Sequence, residues 1–284
     1  MFFRSFFRRA SVMVACATAL SACSLLDSKP PAMKLYVFQC GNIVTTDVSI
    51  FSPGVNEGQS KRLTDSCYLI QHPKGNLIWD TGLNDALGEK GMDAFDGKFH
   101  LNVTQPFANQ LAAINIKPEQ IQYLGISHFH ADHTGNANLF NQAALLIQAE
   151  EFDAAFGPEP QTYGFVPDSY SQLDRNKIQV LHGDFDVFGD GRVVIKKAVG
   201  HTPGHQMLFV DLPETGPIVL SGDLYHFTSN REHRRVPAFN FNKEQTLESM
   251  ETMEQFTSAE KAQFWIQHDL EQNQTIRHSP EFYN

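Results

Sequence analysis

Residues 128–133 read His-Phe-His-Ala-Asp-His, and no other stretch constrains the fold of this chain as sharply. The apolar run 121–127 just before it reads as a buried strand. On an extended strand end, side chains two apart point the same way, so His128 and His130 share a direction. A turn after them lets Asp132 and His133 face a second point a few ångströms away. Imidazole and carboxylate together suit Zn²⁺, and two metals about 3.5–4 Å apart form a hydrolytic clamp. A lone His-x-His would say little, but three His and one Asp within six positions after a buried strand point to a metal site.

The partners of such a motif must come from elsewhere in the chain. Gly200-His201-Thr202-Pro203-Gly204-His205 follows the apolar segment 193–198. Gly222-Asp223 follows segment 218–221, and Gln267-His268-Asp269 follows segment 264–267. Taken singly, each has an ordinary reading as a turn or a helix cap. Together, each at the end of a strand, they read as further ligands on one sheet rim. His205 reads as a group that orients ligands rather than as a ligand. His72, His100, His182, His233 and His278 read as exposed or internally satisfied.

Strands are expected at 34–40, 67–71, 76–79, 121–127, 143–148, 178–181, 193–198, 207–211, 218–221 and 264–267. The second and third flank His72-Pro73-Lys74-Gly75, a hairpin signal. Helices are expected at 110–116 and 242–256, the latter with Asn242 as N-cap and Gln245 in the capping-box position. Segments 88–106 and 157–174, rich in Gly, Pro and aromatics, read as an irregular flap and a long surface loop. Strands interspersed with helices make this a mixed α/β domain.

The set as a whole resembles the metallo-β-lactamase superfamily, and within it the N-acyl-homoserine lactonases, the quorum-quenching enzymes. The resemblance runs from about residue 34 to the C-terminus, and it rests on the six-residue motif, Gly-His-Thr-Pro-Gly-His, Gly222-Asp223 and Gln267-His268-Asp269. It implies a four-layered αβ/βα sandwich with two Zn²⁺ per chain at one rim, other divalent transition metals remaining open. His128, His130 and His201 would hold one metal, Asp132, His133 and His268 the other, and Asp223 would bridge them. Two Zn²⁺ against Asp132, Asp223 and one hydroxide leave a net charge of about +1, which suits a nearby oxyanion. A bridging hydroxide would attack the lactone carbonyl, and Asp132 would carry a proton to the leaving alkoxide. The lactonases place a Tyr three residues after the bridging Asp. Here Tyr225 stands at plus two and His226 at plus three, and the sequence leaves open which of them meets the substrate. Phe99, Phe107, Phe129, Phe165 and Phe227 are the candidates to line a groove for an acyl chain, against ordinary core packing for any one of them.

The resemblance leaves other hydrolases to weigh. A β-lactamase generally lacks the bridging Asp. A glyoxalase-II-like thioesterase shares all the ligands but adds a C-terminal helical region, whereas 16 residues follow His268 here. An aryl-ester or organophosphate hydrolase remains open. A reading of another class is a non-catalytic surface lipoprotein in which metal is structural, although such a binder need not keep every ligand.

The N-terminus reads as a targeting segment. Arg4, Arg8 and Arg9 precede an apolar stretch, 10–20, and then Leu20-Ser21-Ala22-Cys23, which resembles a bacterial lipoprotein cleavage box. The expectation is a signal peptide over 1–22, a lipidated Cys23, a tether over 23–33 and the catalytic domain over 34–284. Export follows, with a lipid anchor in the outer membrane or a periplasmic location; Ser24 favours outer-membrane sorting. Loss of the three Arg would take the formal charge from −10 to −13, which argues against nucleic-acid partners. The expected partners are a small lactone or ester, the membrane through its lipid, and a second copy of the chain in a homodimer. Cys40 and Cys67 could pair in an oxidising compartment or remain buried thiols.

Overall fold

The computed structural model describes residues 1–2 and 32–284. The chain divides into Met1–Pro30 and Pro31–Asn284, and all that follows concerns the second unit. The expected signal peptide, Cys23 and most of the tether lie outside the described residues. Met33, assigned to that tether, is fully buried in an apolar core.

In chain order the strands are β1 (Lys34–Thr45), β2 (Lys61–His72), β3 (Gly75–Trp79), β4 (Met92–Ala94), β5 (Phe99–Asn102), β6 (Tyr123–Gly125), β7 (Ala144–Gln148), β8 (Ile178–Leu181), β9 (Phe185–Asp186), β10 (Val193–Lys197), β11 (Gln206–Leu212), β12 (Gly216–Leu220) and β13 (Gln263–Trp265). The helices are α1 (Phe107–Ala113), α2 (Ala131–Thr134), α3 (Ala149–Phe156), α4 (Thr228–His233), α5 (Lys243–Glu260) and α6 (Leu270–Asn273). The first sheet runs β4-β5-β1-β2-β3-β6-β7-β8, and the second runs β13-β12-β11-β10-β9.

Alternation along the strands builds the layers. Leu35 and Val37 of β1 face a core shared with Val193, Ile195, Leu208 and Val210 of the second sheet. Tyr36 and Phe38 face the other way, onto Phe107 and Leu111 of α1 and Ala154 and Ala155 of α3. On the second sheet, Met207 and Phe209 turn outward onto Met250 and Met253 of α5. Helix, sheet, sheet and helix thus stack in four layers, the mixed α/β arrangement expected of the fold.

The β2–β3 hairpin forms where expected, with Gln71 opposite Asn76. Asn242 caps α5 by accepting from the backbone N–H of Gln245 at 3.0 Å. Two expectations need correcting, and one helix is additional. The flap 88–106 contains β4 and β5, which extend the first sheet by pairing Ile43 with Leu101 and Ala94 with Phe99. The helix expected at 110–116 runs three residues earlier, over Phe107–Ala113. There Asp85 accepts the Phe107 N–H at 2.8 Å and so supplies the N-terminal acceptor that the local sequence lacks. α3, between β7 and the long loop, was not expected. Cys40 and Cys67, on the paired strands β1 and β2, are joined in a disulfide.

Candidate metal centre

β6 of the first sheet and the parallel pair β12 and β13 of the second each lead into a segment that delivers part of the cluster. His128 follows β6 and is fully buried. His130 caps the short α2, which carries Asp132 and His133. His201 lies in the β10–β11 turn, Asp223 just after β12, and His268 just after β13. Gly222 adopts φ +48°, and a Cβ there would come 2.7 Å from His205 Nε2 and 2.8 Å from Ser127 Cβ, so only glycine lets the Asp223 turn approach this closely.

Two clusters of ligand atoms result. His128, His130, His201 and Asp223 offer atoms all within 4.8 Å of one another, as do Asp132, His133 and His268. Asp223 reaches both. Its Oδ2 lies 3.4 Å from His201 Nε2 and 3.8 Å from His128 Nε2, while its Oδ1 lies 3.3 Å from His133 Nε2 and 3.0 Å from His268 Nε2.

Four of the five ligand imidazoles, His128, His130, His133 and His268, are held from behind, which fixes the nitrogen each turns inward, whereas His201 Nδ1 is buried without a partner. His268 Nδ1 faces the Thr64 carbonyl at 2.8 Å, and His130 Nε2 faces the Tyr163 carbonyl at 3.1 Å. His133 Nδ1 lies 3.1 Å from Asp80 Oδ2. The other oxygen of Asp80 accepts the Ser127 N–H at 2.7 Å. His205 is no ligand: its Nδ1 faces the Ala198 carbonyl at 2.9 Å, and its Nε2 accepts the backbone N–H of Asp223 at 2.9 Å.

Bare imidazoles do not account for this packing. His128 Nε2, His130 Nδ1 and His201 Nε2 lie 2.8 to 3.2 Å from one another. With His130 Nε2 turned to a carbonyl, its Nδ1 presents a lone pair to that triangle, where the other nitrogens also point. His133 Nε2 and Asp223 Oδ1 are buried without a hydrogen bond, a costly condition unless another partner takes them. Burial holds His128 and His201 well below the usual imidazole range. Burial also opposes charge on His268, but the Asp223 carboxylate outweighs it and lifts the group to about 9. Burial likewise opposes charge on Asp223, and His268, His226 and His133 outweigh it, so the carboxylate stays ionised. Neutral imidazoles on one side and proton-attracting pairs on the other fit divalent cations bound through N and O donors.

A cavity of about 420 Å³ opens above the cluster. His130, Asp132, His201, Asp223, His226 and His268 form its polar end. Ile43, Ile50, Phe51, Leu63, Leu83, Phe99 and Leu101 form an apolar wall, with Phe95, Tyr163, Val166, Phe239 and Phe241 around it.

Of the aromatic residues proposed from sequence, Phe99 is on this wall and four are not. Phe107, Phe129 and Phe165 are buried in the core between the first sheet and its helices. Phe227 packs with Ile43, Phe51 and Leu63, behind the cavity surface. Tyr225 also turns away: its hydroxyl donates to Glu254 at 3.1 Å, and its ring packs on Phe264. His226 lines the cavity, with Nε2 3.1 Å from Asp223 Oδ2. Phe51, Phe239 and Phe241 escaped sequence reasoning because they lie far from every motif, and Phe95 because nothing local sets it apart within the flap. Asp80 did carry a signal, an Asp-Thr-Gly at a strand end.

The metallo-beta-lactamase superfamily model matches residues 62–259. The N-acyl homoserine lactonase AiiA of Bacillus thuringiensis subsp. kurstaki is 27% identical over 257 residues, which span 88% of this chain and 98% of that protein. The N-acyl homoserine lactonase AttM of Rhizobium radiobacter is 28% identical over 266 residues, with the same coverage. Among solved structures, an N-acyl homoserine lactone hydrolase with the product N-hexanoyl-L-homoserine bound at its catalytic metal centre matches with a TM-score of 0.77. It is 26% identical, and the match covers 88% of this chain and 98% of that one.

Proposed function

This chain belongs to the metallo-beta-lactamase superfamily, and we propose that it is a dinuclear zinc hydrolase that opens the ring of N-acyl homoserine lactones. The observation that carries this reading is Asp223, one oxygen facing each ligand cluster, at the polar end of a cavity whose facing wall is apolar. The lactonase relatives, matched over nearly their whole length, support the substrate class.

His128, His130 and His201 would hold one zinc, Asp132, His133 and His268 the other, and Asp223 both. The chemistry such cations supply when bound is activation of water near neutral pH and polarisation of a carbonyl. The chain's own residues do the rest. Asp132, with its side chain 28% exposed, keeps contact with the cavity while lying 3.8 Å from His268 Nε2, a position suited to passing a proton to the leaving alkoxide. His226 supplies an N–H at the plus-three position after Asp223, and we assign it the hydrogen bond to the substrate carbonyl. The wall from Ile43 to Leu101 takes the acyl chain. His205, held neutral by burial at about 4, receives the Asp223 N–H and sets the angle of that carboxylate.

The test is turnover of purified protein on a panel of homoserine lactones, a plain γ-lactone, a thioester and a phosphotriester. The reading requires the acyl homoserine lactones to give the highest kcat/KM. A thioester or phosphotriester in first place would move the assignment to another hydrolase of the same fold. We also propose export and anchoring through acylated Cys23. Incorporation of labelled palmitate that persists in Cys23→Ala would remove that proposal.

A further inference from the structure

Glu151 has no part in the chemistry above, yet it is buried to 1% exposure, and among the described residues no Lys or Arg forms an ion pair with it. A carboxylate taken out of water without a cation is costly, so what it touches must offset that cost. It touches two backbone amides. Oε1 accepts the Phe129 N–H at 2.9 Å, and Oε2 accepts the Gly204 N–H at 2.8 Å.

Those two amides belong to two different loops. Phe129 lies between His128 and His130. Gly204 lies three residues after His201 and directly before His205. One side chain at the start of α3 therefore ties together the two loops that supply every imidazole of the first ligand cluster. The fit is close: a Cβ on Gly204 would come 2.4 Å from the Glu151 backbone nitrogen and 2.6 Å from its Cβ. The other cluster is braced by different groups, Asp80 behind His133 and the Thr64 carbonyl behind His268.

We propose that Glu151 is a positioning residue that sets the distance between the His128–His130 loop and the His201 loop, and so tunes metal affinity chiefly at that cluster. The proposal rests on the two clusters being metal sites, not on the identity of the substrate. Burial pushes Glu151 up to about 7, and the two amide donors with the Thr202 hydroxyl favour its ionised form, in which both oxygens accept. In Glu151→Gln the amide keeps one acceptor and turns its NH₂ toward the second backbone N–H, donor against donor. The shape is preserved and one of the two ties is broken. Glu151→Asp keeps two acceptors on a stem one methylene shorter.

The experiment uses the full chain, stripped of metal and then titrated with Co²⁺ under chelator competition, with the visible spectrum separating the two binding steps. Amide hydrogen exchange is followed in the metal-free protein. Glu151→Gln is expected to weaken one step by about 10- to 100-fold and to change the other by much less. Exchange at Phe129 or Gly204 should accelerate in the same variant, and Glu151→Asp should fall between it and the wild type. A general loss of stability would weaken both steps together, so the ratio of the two affinities isolates positioning from folding. Equal weakening of both steps, or wild-type affinities with unchanged exchange at both amides, overturns the proposal. If Glu151→Gln does not fold, the same ratio in Glu151→Asp decides. No lactone enters the assay, so the lactonase reading can fail while this one stands, and the reverse.

Discussion

Lengthening the acyl chain of a homoserine lactone from hexanoyl to octanoyl adds two methylenes to the part of the substrate that the apolar wall is assigned to hold. Each methylene moved fully out of water is worth about 0.8 kcal/mol. Two would give about 1.6 kcal/mol, or roughly a 15-fold rise in kcat/KM at RT of about 0.59 kcal/mol. If each is only half covered, the rise falls to about 4-fold. The wall sets these limits, because Ile43, Phe51, Leu63, Leu83 and Phe99 are all buried, whereas Phe95 at 73% and Phe241 at 52% exposure mark where the cavity meets solvent. The gain should therefore shrink once the chain passes the buried wall and reaches that rim. Initial rates can be read from the acid released on ring opening, by pH-stat, for butanoyl through dodecanoyl lactones. A rise of 4- to 15-fold between six and eight carbons, then a plateau, is expected. A flat or falling profile from four to eight carbons would mean that the acyl chain does not lie along this wall.

Three further outcomes follow from particular residues. His205 is held at about 4 by burial, below an unfolded value near 6.5. Its contribution is thus fully present above pH 6.5 and lost as the pH falls toward 4, a difference of about 3 kcal/mol. Urea unfolding should show this slope in the wild type and a shallower one in His205→Gln; equal slopes would contradict it. His226→Phe should lower kcat about 10²- to 10³-fold, as loss of an oxyanion donor does, whereas Tyr225→Phe should keep turnover within about twofold because it loses only the bond to Glu254; the opposite order would return the substrate contact to Tyr225. Reducing the Cys40–Cys67 disulfide, which spans 27 positions, should cost about 2–4 kcal/mol of stability by releasing the unfolded chain, and an unchanged urea midpoint under reductant would count against that.

How much could be read from the chain beforehand depended on distance along it. The His128–His133 motif packs its meaning into six residues, and His201, Asp223 and His268 each follow an apolar run that ends in a strand. Such signals are local and survive without a structure. The acyl wall is not local. Phe51 precedes β2, Phe239 and Phe241 precede α5, and only folding brings them to one cavity. Phe129 shows the converse: it sits inside the motif, yet alternation sends its ring into the core while its neighbours His128 and His130 join the ligand cluster. Glu151 was illegible for a related reason. In the run Ala-Glu-Glu-Phe-Asp-Ala-Ala-Phe it reads as one more surface acid, and nothing nearby in sequence shows that two distant loops meet at its carboxylate. The strands β4 and β5 were missed because segments of three and four residues among Asp, Gly and Lys carry too little alternation to see.

If Asp223 joins two metal sites into one hydrolytic centre, metal content and turnover must fall together when it is removed. Elemental analysis of purified, catalytically active protein, run beside Asp223→Ala, reads both. Close to two divalent transition-metal ions per wild-type chain are expected, with at least one lost and turnover abolished in the variant. Active wild-type protein without bound metal, or a variant that keeps both its metal and its rate, would contradict that role of Asp223.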